Sequence, residues 1–221
     1  MIGVLVPAHN EESMIGRCLR SIGRAAQHPA LRGESVRIVV ALDRCRDDTA
    51  RIAAEHNAHT VRLRRRGNAG GARALAARAA IAHGARWLAS TDADSSVPFD
   101  WLAGQLDCAA DAFCGMVRVT DWGDCPPAVA RRYDELHVPR DGHPHVHGAN
   151  LGVATEWYLR CGGFPALPAH EDVALVQALE RAGARIARLA EPAVITSARM
   201  IGRAPEGFAT YLLHMAQEAG A

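Results

Sequence analysis

The 221-residue chain contains no lysine, so all 25 of its fixed basic charges are arginines, set against 24 acidic residues. This near balance argues against a general nucleic-acid binder, because such proteins carry a clear basic excess on one face. The absence of lysine, together with abundant Ala, Gly and Arg, indicates a GC-rich coding bias rather than a particular function. Apolar residues make up 49% of the chain, so a sizeable core is expected.

The six cysteines lack CxxC spacing and follow no zinc or disulfide framework. Cys18 and Cys108 fall on the apolar faces of predicted helices, where buried thiols are expected. Such a pattern fits a reducing cytoplasm.

Long apolar runs are also missing. None approaches the roughly 20 residues that span a bilayer, and the N-terminal stretch MIGVLVPAHNEE has no basic n-region. We therefore expect a soluble cytoplasmic protein with neither a signal peptide nor a transmembrane segment.

Apolar runs and helical periods alternate through the first half of the chain. Buried strands are predicted over 2–7, 36–43, 59–63 and 86–91, and helices over 12–27, 47–57 and 69–85. This alternation predicts an α/β domain with a parallel sheet and right-handed crossovers. Because ligands bind at the carboxyl ends of such strands, the polar loops 7–12, 43–48 and 91–96 are expected on one rim.

The second half is less regular. A strand is predicted over 112–122, helices over 126–138, 170–183 and from 208 onwards, and one or two short strands within 185–197. The segment 139–152, crowded with Gly, Pro and His, is predicted as a loop. No repeat, low-complexity tract or linker divides the chain, so a single domain is expected.

The segment WLASTDADSSVP (87–98) places Asp92 and Asp94 on the turn after a predicted strand. Mg²⁺ is held by one or two carboxylates together with substrate phosphate oxygens, so the pair suits a metal bound jointly with a diphosphate. The alternative is an ordinary polar turn in which Asp94 or Ser95 caps a helix beginning near Pro98. The segment alone leaves both interpretations open.

Six segments, in this order, resemble family 2 glycosyltransferases of the GT-A fold. They are VPAHNEE (6–12), ALDRCRDDTA (41–50), RGNAGGARALAARAAIAHGA (66–85), TDADSSVPFDWL (91–102), HGANLG (147–152) and HEDVAL (170–175). The resemblance runs from residue 2 to about 183 and implies a Rossmann-like three-layer sandwich with a mixed, mostly parallel central sheet. With that fold we expect a nucleotide-sugar-binding half over 1–97, an acceptor-binding half over 98–204 and a helical tail over 205–221.

On the donor side, the resemblance implies Mg²⁺ or Mn²⁺ held by the Asp-x-Asp pair, with Asp94 the more direct ligand and Asp92 nearer the ribose. The other implied contacts are Pro7, Ala8 and Glu11 at the base and ribose, Asp43 at the base, and Arg73 at the diphosphate. The alternatives are a helix N-terminal acid for Glu11 and a solvated helix arginine for Arg73. Leu42 stands where the family carries a further acid, which leaves the base open.

On the acceptor side, the resemblance implies that Asp172 is the general base of an inverting transfer. The other implied contacts are His147, Gly148, Asn150 and Glu171 around acceptor and sugar, and Arg199 and Arg203 in a basic lid over the diphosphate. Glu171 and Asp172 are alternatively plain helix-start acids. His143, His145 and His147 alternate in the predicted loop, which leaves a second metal site open.

Together these expectations predict a metal-dependent, nonprocessive glycosyltransferase, since the Gln-x-x-Arg-Trp motif of processive members is missing. The expected partners are a nucleotide-diphosphate sugar and a hydroxyl-bearing acceptor, and a homodimer stays open. The alternatives are a retaining transferase acting on a small acidic acceptor, an inert nucleotide-sugar-binding module, and a nucleotidyltransferase. The last is disfavoured because PAHNEE lacks the glycines and basic residues that grip a triphosphate.

Overall fold

The computed structural model describes residues 1–64, 67–199 and 207–218 of the chain. Seven strands lie in these ranges: β1 (Ile2–Ala8), β2 (Val36–Leu42), β3 (His59–Arg62), β4 (Trp87–Ser90), β5 (Ala112–Arg118), β6 (Leu151–Ala154) and β7 (Ile186–Ile195). The α-helices of these ranges are α1 (Ile15–Ala25), α2 (Thr49–Glu55), α3 (Ala69–Ala82), α4 (Trp101–Asp107), α5 (Pro127–Leu136), α6 (Thr155–Arg160), α7 (Glu171–Arg181) and α8 (Phe208–Glu218). Short 3-10 turns occupy Pro29–Leu31 and Gly148–Asn150.

One sheet holds the seven strands in the order β3-β2-β1-β4-β6-β5-β7. Adjacent strands are parallel except where β6 pairs with β4 and with β5. The predicted α/β fold with a mixed, mostly parallel sheet is confirmed. The loop predicted over 139–152 is wrong at its end, because β6 begins at Leu151. A four-residue strand behind a stretch of Gly, Pro and His gives too short an apolar pattern to identify.

Helices cover both faces of the sheet, because successive side chains of a strand point to opposite faces. On one face, Ile2, Val4 and Val6 of β1 pack in a core with residues of α1, α2 and α4. On the other face, Leu5 packs in a second core with residues of α3, α6 and α7. The result is a three-layer sandwich of helices, sheet and helices.

The alanine-rich α3 lies close against β1. A methyl group at Gly3 would lie 2.6 Å from the Cβ of Ala80, well inside normal contact, so small residues set the distance between helix and sheet. The helix runs back from the carboxyl rim of the sheet, and its first two turns, which include Arg73, therefore lie at that rim.

The last helix, α8, packs against α5 in a separate small cluster centred on Val129, Tyr133, Leu212 and Met215. A helix within the predicted tail is therefore confirmed, while the division of the chain into functional halves stays a prediction.

Cys18 is buried as predicted, whereas Cys108 is only partly buried. In the described ranges, no helix combines the length and the apolar character needed to cross a membrane.

Candidate active site

A cleft of about 1430 Å³ opens where β1, β2 and β4 end. The loops after these strands line it, together with the 3-10 turn before β6, the start of α7 and part of α8. The polar loops predicted to share one rim therefore do so. Because β6 runs opposite to its neighbours, the segment that enters this strand also reaches the rim, which the sequence pattern did not indicate.

Pro7, Ala8, Glu11 and Asp43 line one end of the cleft, which we call the donor end after their predicted contacts. The Asp43 N–H donates to the Ala8 carbonyl at 2.9 Å, and its Oδ1 accepts from the Gly67 N–H at 3.2 Å. Glu11, in the loop that leaves β1, is buried. These residues lie together as the resemblance implies, and their contact with a base and a ribose stays a prediction.

Asp92 and Asp94 follow β4 and line the middle of the cleft. Burial, followed by the charge of Asp92, raises the pKa of Asp94 to about 6, although the guanidinium of Arg199 acts in the opposite direction. Neither Asp94 nor Ser95 caps a helix, because α4 begins only at Trp101 and its N-cap makes no side-chain hydrogen bond. The capping interpretation of this turn is therefore wrong.

Arg199 lies against the same carboxylates. Its Nη2 is 2.9 Å from Oδ2 of Asp94, and its Nη1 donates to Oε2 of Glu11 at 3.0 Å. A single antiparallel bridge between the end of β7 and the segment after Asp94 carries Arg199 to this position. The other half of the predicted basic lid, Arg203, lies outside the described residues.

Arg73 is buried beneath the cleft, with only 4% of its surface exposed. Its Nε donates to the Ser90 hydroxyl at 3.0 Å, Nη2 donates to Oδ1 of Asp92 at 2.5 Å, and Nη1 donates to Oε1 of Glu171. The alternative of a solvated helix arginine is therefore wrong. Arg73 joins the aspartate pair to α7, and its contact with a diphosphate stays a prediction.

Glu171 and Asp172 form the first turn of α7. Burial raises the pKa of Glu171. Asp172 accepts two backbone hydrogen bonds, from Gly148 at 2.6 Å and from Val173 at 2.8 Å. Oδ1 therefore accepts from the first turn of α7, as expected for an ordinary acid at a helix start. Oδ2 holds the loop that enters β6.

In the segment 148–150, Gly148 lies at the cleft and Asn150 lies in the core. Gly148 lies over Arg73, and a Cβ there would come within 2.6 Å of its Nη2, so glycine permits this close approach. Asn150 is fully buried and does not line the cleft. Its Oδ1 accepts from the Trp101 indole at 2.9 Å, and its Nδ2 donates to carbonyls of β5 and β7, each at 2.8 Å. The predicted place of Asn150 beside the donor sugar is therefore wrong.

The alternating histidines stack along the loop before β6. The ring centroids of His145 and His147 are 5.8 Å apart at 13°, and those of His143 and His145 are 5.8 Å apart at 28°. Nearly parallel rings cannot direct their nitrogens at one ion. No group of three or more His, Cys, Asp or Glu able to hold a metal occurs within the residues that the structure describes. A second metal site in this loop therefore finds no support.

Burial of His147 predicts an acid-labile fold. Burial, followed by the charges of neighbouring histidines, lowers the pKa of His147 from 6.5 to about 3. Between pH 6.5 and about pH 3, His147 is protonated in the unfolded chain but neutral in the folded chain. The free energy of unfolding therefore falls as pH drops from about 6.5. We expect His147 to contribute up to about 1.4 kcal/mol of this loss per pH unit.

Urea denaturation at pH 7.5 and 5.0 tests this expectation. The His147→Gln variant should lose up to about 2 kcal/mol less than the wild type between these pH values. The exposed His83 supplies the control substitution, His83→Gln, for loss of an imidazole at the surface. If His147→Gln and the wild type lose the same free energy of unfolding between these pH values, the lowered pKa of His147 is contradicted.

Sequence reasoning missed part of the cleft wall. His137 from the end of α5, and Phe208 and Tyr211 from α8, line the cleft. The apolar period of the tail indicates a packed helix, but it contains no signal for the surface on which that helix docks. Only the cluster between α5 and α8 brings these rings to the site.

Comparison with solved structures places this cleft in a known fold. TarS residues 1–349 from S. aureus in complex with UDP-GlcNAc superposes with a TM-score of 0.68 at 18% identity, covering 98% of this chain and 66% of that one. PcManGT from Pyrobaculum calidifontis, a mannosyltransferase in complex with GDP-Man and Mn²⁺, gives a TM-score of 0.68 at 20% identity, covering 99% and 69%. The chain thus spans about two thirds of these neighbours, and only 60% of TarS 1–349 in another of its structures.

A third neighbour, glucosyl-3-phosphoglycerate synthase from Mycobacterium tuberculosis in complex with Mn²⁺ and UDP-glucose, gives a TM-score of 0.59 at 18% identity, covering 98% of this chain and 75% of that one. These likenesses confirm the predicted GT-A fold. No curated protein matches the sequence. The model of the family described as glycosyl transferase family 2, however, matches residues 3–151, well over half of the chain and every strand of the donor end. The chain therefore belongs to glycosyl transferase family 2.

Proposed function

We propose that this protein is a metal-dependent glycosyltransferase that moves a sugar from a nucleotide-diphosphate sugar to an acceptor hydroxyl with inversion. The observation that carries the proposal is the buried Arg73, which ties Asp92 on the donor side to Glu171 beside the proposed base. One guanidinium thereby fixes the two halves of a transfer site against each other. The Mn²⁺ and nucleotide-sugar complexes of structural neighbours support the same assignment.

The residues around Asp94 fit a divalent cation. Hard cations prefer carboxylate oxygens, and the raised pKa of Asp94 reflects a buried carboxylate with too little positive charge around it. Arg199 supplies positive charge to Asp94 and Glu11. Held at Asp94, the cation would neutralise charge on the leaving diphosphate.

Asp172 is the proposed general base. The backbone N–H groups of Gly148 and Val173 fix its carboxylate, yet each oxygen keeps a further lone pair with which to accept a proton. The acceptor oxygen forms its bond to the anomeric carbon while the bond from that carbon to the diphosphate breaks. The hydroxyl proton passes to Asp172, and the electron pair of the broken bond leaves with the diphosphate.

A thermal-shift screen of UDP-, GDP- and dTDP-sugars with and without Mn²⁺ tests the proposal. We expect one donor class, at about 100 times its Kd, to raise Tm by about 5–10 °C, and only when Mn²⁺ is present. The matching nucleoside monophosphate with Mn²⁺ is the control, since it lacks the diphosphate that completes the metal site. No shift with any donor would contradict the proposal and would also count against an inert nucleotide-sugar-binding module, because such a module would still bind its donor.

A further inference from the structure

Five rings form the wall of the cleft beyond Asp172, which we call the ring wall. Its members are His137, His145, His147, Phe208 and Tyr211. The row of histidines ends next to the proposed base, because Asp172 accepts its hydrogen bond from Gly148, the residue that directly follows His147. A molecule lying on the ring wall would therefore reach the atom that is proposed to take the acceptor proton.

The histidines of the ring wall stack in a row. The centroids of His137 and His145 are 4.9 Å apart at 27°, and those of His145 and His147 are 5.8 Å apart at 13°. Tyr133 stacks on His137 at 4.0 Å and 12°. Rings stacked in this way cover one another's faces and turn their edges outward. A neutral imidazole carries one hydrogen-bond donor and one acceptor. His137 uses both ring nitrogens within the protein, Nδ1 with the Tyr133 carbonyl at 2.9 Å and Nε2 with the Tyr211 hydroxyl at 3.5 Å, whereas His145 makes no side-chain hydrogen bond among the described residues.

The row is electrically neutral around pH 7. Burial lowers the pKa of His137, and it lowers those of His145 and His147 together with the charges of the neighbouring histidines. Nε2 of His147 is buried and finds no hydrogen-bond partner among the described residues, so the accessible ring nitrogens of the row are those of His145. Such a wall offers hydrogen bonds without an ionic charge.

The arginines that line the cleft are committed or lie elsewhere. Arg73 and Arg199 are paired with carboxylates, and Arg44 and Arg46 follow β2 at the donor end. Arg140 is close enough to His145 to lower the pKa of that histidine, but it is exposed and outside the cleft lining. Arg188 donates to the His145 carbonyl at 3.3 Å, but it is paired with Glu180 and lies outside the cleft lining. Among the described residues, an anionic acceptor would thus meet the carboxylates of α7 with no unpaired guanidinium in the cleft lining at the ring wall.

We propose that the ring wall binds the acceptor, and that the acceptor is an uncharged sugar with several free hydroxyls rather than a small carboxylate or phosphate. A sugar hydroxyl both donates and accepts a hydrogen bond, as the edges of neutral imidazoles do. The rings of Phe208 and Tyr211 add apolar contact for the C–H face of a sugar. The inference rests on the proposed function, because Asp172 takes the proton of the hydroxyl that the wall presents.

Saturation-transfer NMR on the full chain tests the acceptor class without turnover. The probes are the methyl glycosides of glucose, galactose and mannose, with phosphoglyceric acid as the anionic probe. We expect transfer from protein aromatic protons to at least one glycoside and none to phosphoglyceric acid. His145→Ala should weaken glycoside binding about tenfold through lost hydrogen bonds. Tyr211→Ala should weaken it by a similar factor, and His83→Ala should not change it.

The outcomes separate this inference from the proposed function. Binding of phosphoglyceric acid in preference to every glycoside would overturn the inference, as would glycoside binding that neither His145→Ala nor Tyr211→Ala weakens. Donor binding with Mn²⁺ is measured separately on the same samples. If the wild-type chain binds a donor but no glycoside, only the proposed acceptor class is contradicted. If it binds no donor, the proposed transferase function is contradicted.

Discussion

Asp172→Asn is expected to lower kcat by about 10²- to 10⁴-fold, because general-base assistance is worth a factor of that size and an amide cannot take the proton. Donor affinity should stay within about twofold of the wild type, since the donor end lies on the other side of Arg73. The asparagine Oδ1 can still accept the hydrogen bond that Gly148 donates, at the expense of the bond from Val173, so the loop before β6 should keep its place. Single-turnover kinetics together with donor titration give both quantities.

A matched control separates a base from an ordinary acid at a helix start. Asp48 precedes α2 as an exposed N-cap residue, and its carboxylate pairs with Arg51 at the surface. Asp48→Asn should therefore leave kcat unchanged. If Asp172→Asn behaves like this control, Asp172 is not the base. A product that keeps the anomeric configuration of the donor would equally replace the inverting mechanism by a retaining one.

Asp94→Asn is expected to abolish Mn²⁺-dependent donor binding and yet to stabilise the fold. The pKa of Asp94 is raised from 3.8 to about 6, so above pH 6 its ionised form costs the folded state free energy, up to about 3 kcal/mol. A neutral amide removes that cost, and Arg199 keeps its pair with Glu11. We expect Tm at pH 7.5 to rise by several degrees. Calorimetric titration of the donor with and without Mn²⁺ measures the loss of binding.

The neighbouring Asp92 serves as the control, because its replacement should lower Tm rather than raise it. Asp92 holds the buried guanidinium of Arg73, so Asp92→Asn leaves that charge with a single carboxylate. Arg73 is buried but the Asp92 side chain is 36% exposed, so the loss should lie below the about 3–5 kcal/mol of a fully buried pair, and Tm should still fall. Unchanged Mn²⁺-dependent affinity in Asp94→Asn would remove this residue from the metal site, and a drop in its Tm would contradict the burial cost.

The donor end was predictable because its signals are local. Each of its loops follows a short apolar strand, and the topology of a parallel sheet brings such loops to one rim. Asp43, Asp92 and Asp94 could therefore be placed near one another without any tertiary information. The local pattern does not reveal the charge that balances Asp94, because Arg199 lies more than a hundred residues further along the chain, and only the family resemblance placed Arg199 over the diphosphate.

The wrong prediction for Asn150 and the missed ring wall have a common cause, which is that tertiary contacts leave no local signal in the sequence. Asn150 stands in a segment that reads as a ligand contact, yet its amide bonds to Trp101 and to carbonyls of β5 and β7 inside the core. Asn150 ends the 3-10 turn just before the four-residue β6, and elements this short carry no periodic pattern that fixes whether a polar side chain faces the cleft or the core. The ring wall was missed because docking of α8 on α5 leaves no local mark in the sequence.

The two ion pairs of Arg73 restrict how this chain can be recombined with its relatives. A hybrid that takes its first half from one protein and its second half from another would join a buried guanidinium to a foreign α7. Without a carboxylate at the position of Glu171, that charge would be left underbalanced in the interior. Exchanges of donor specificity between such proteins are therefore expected to succeed only when Arg73, Asp92 and Glu171 travel together, although they are far apart in the sequence.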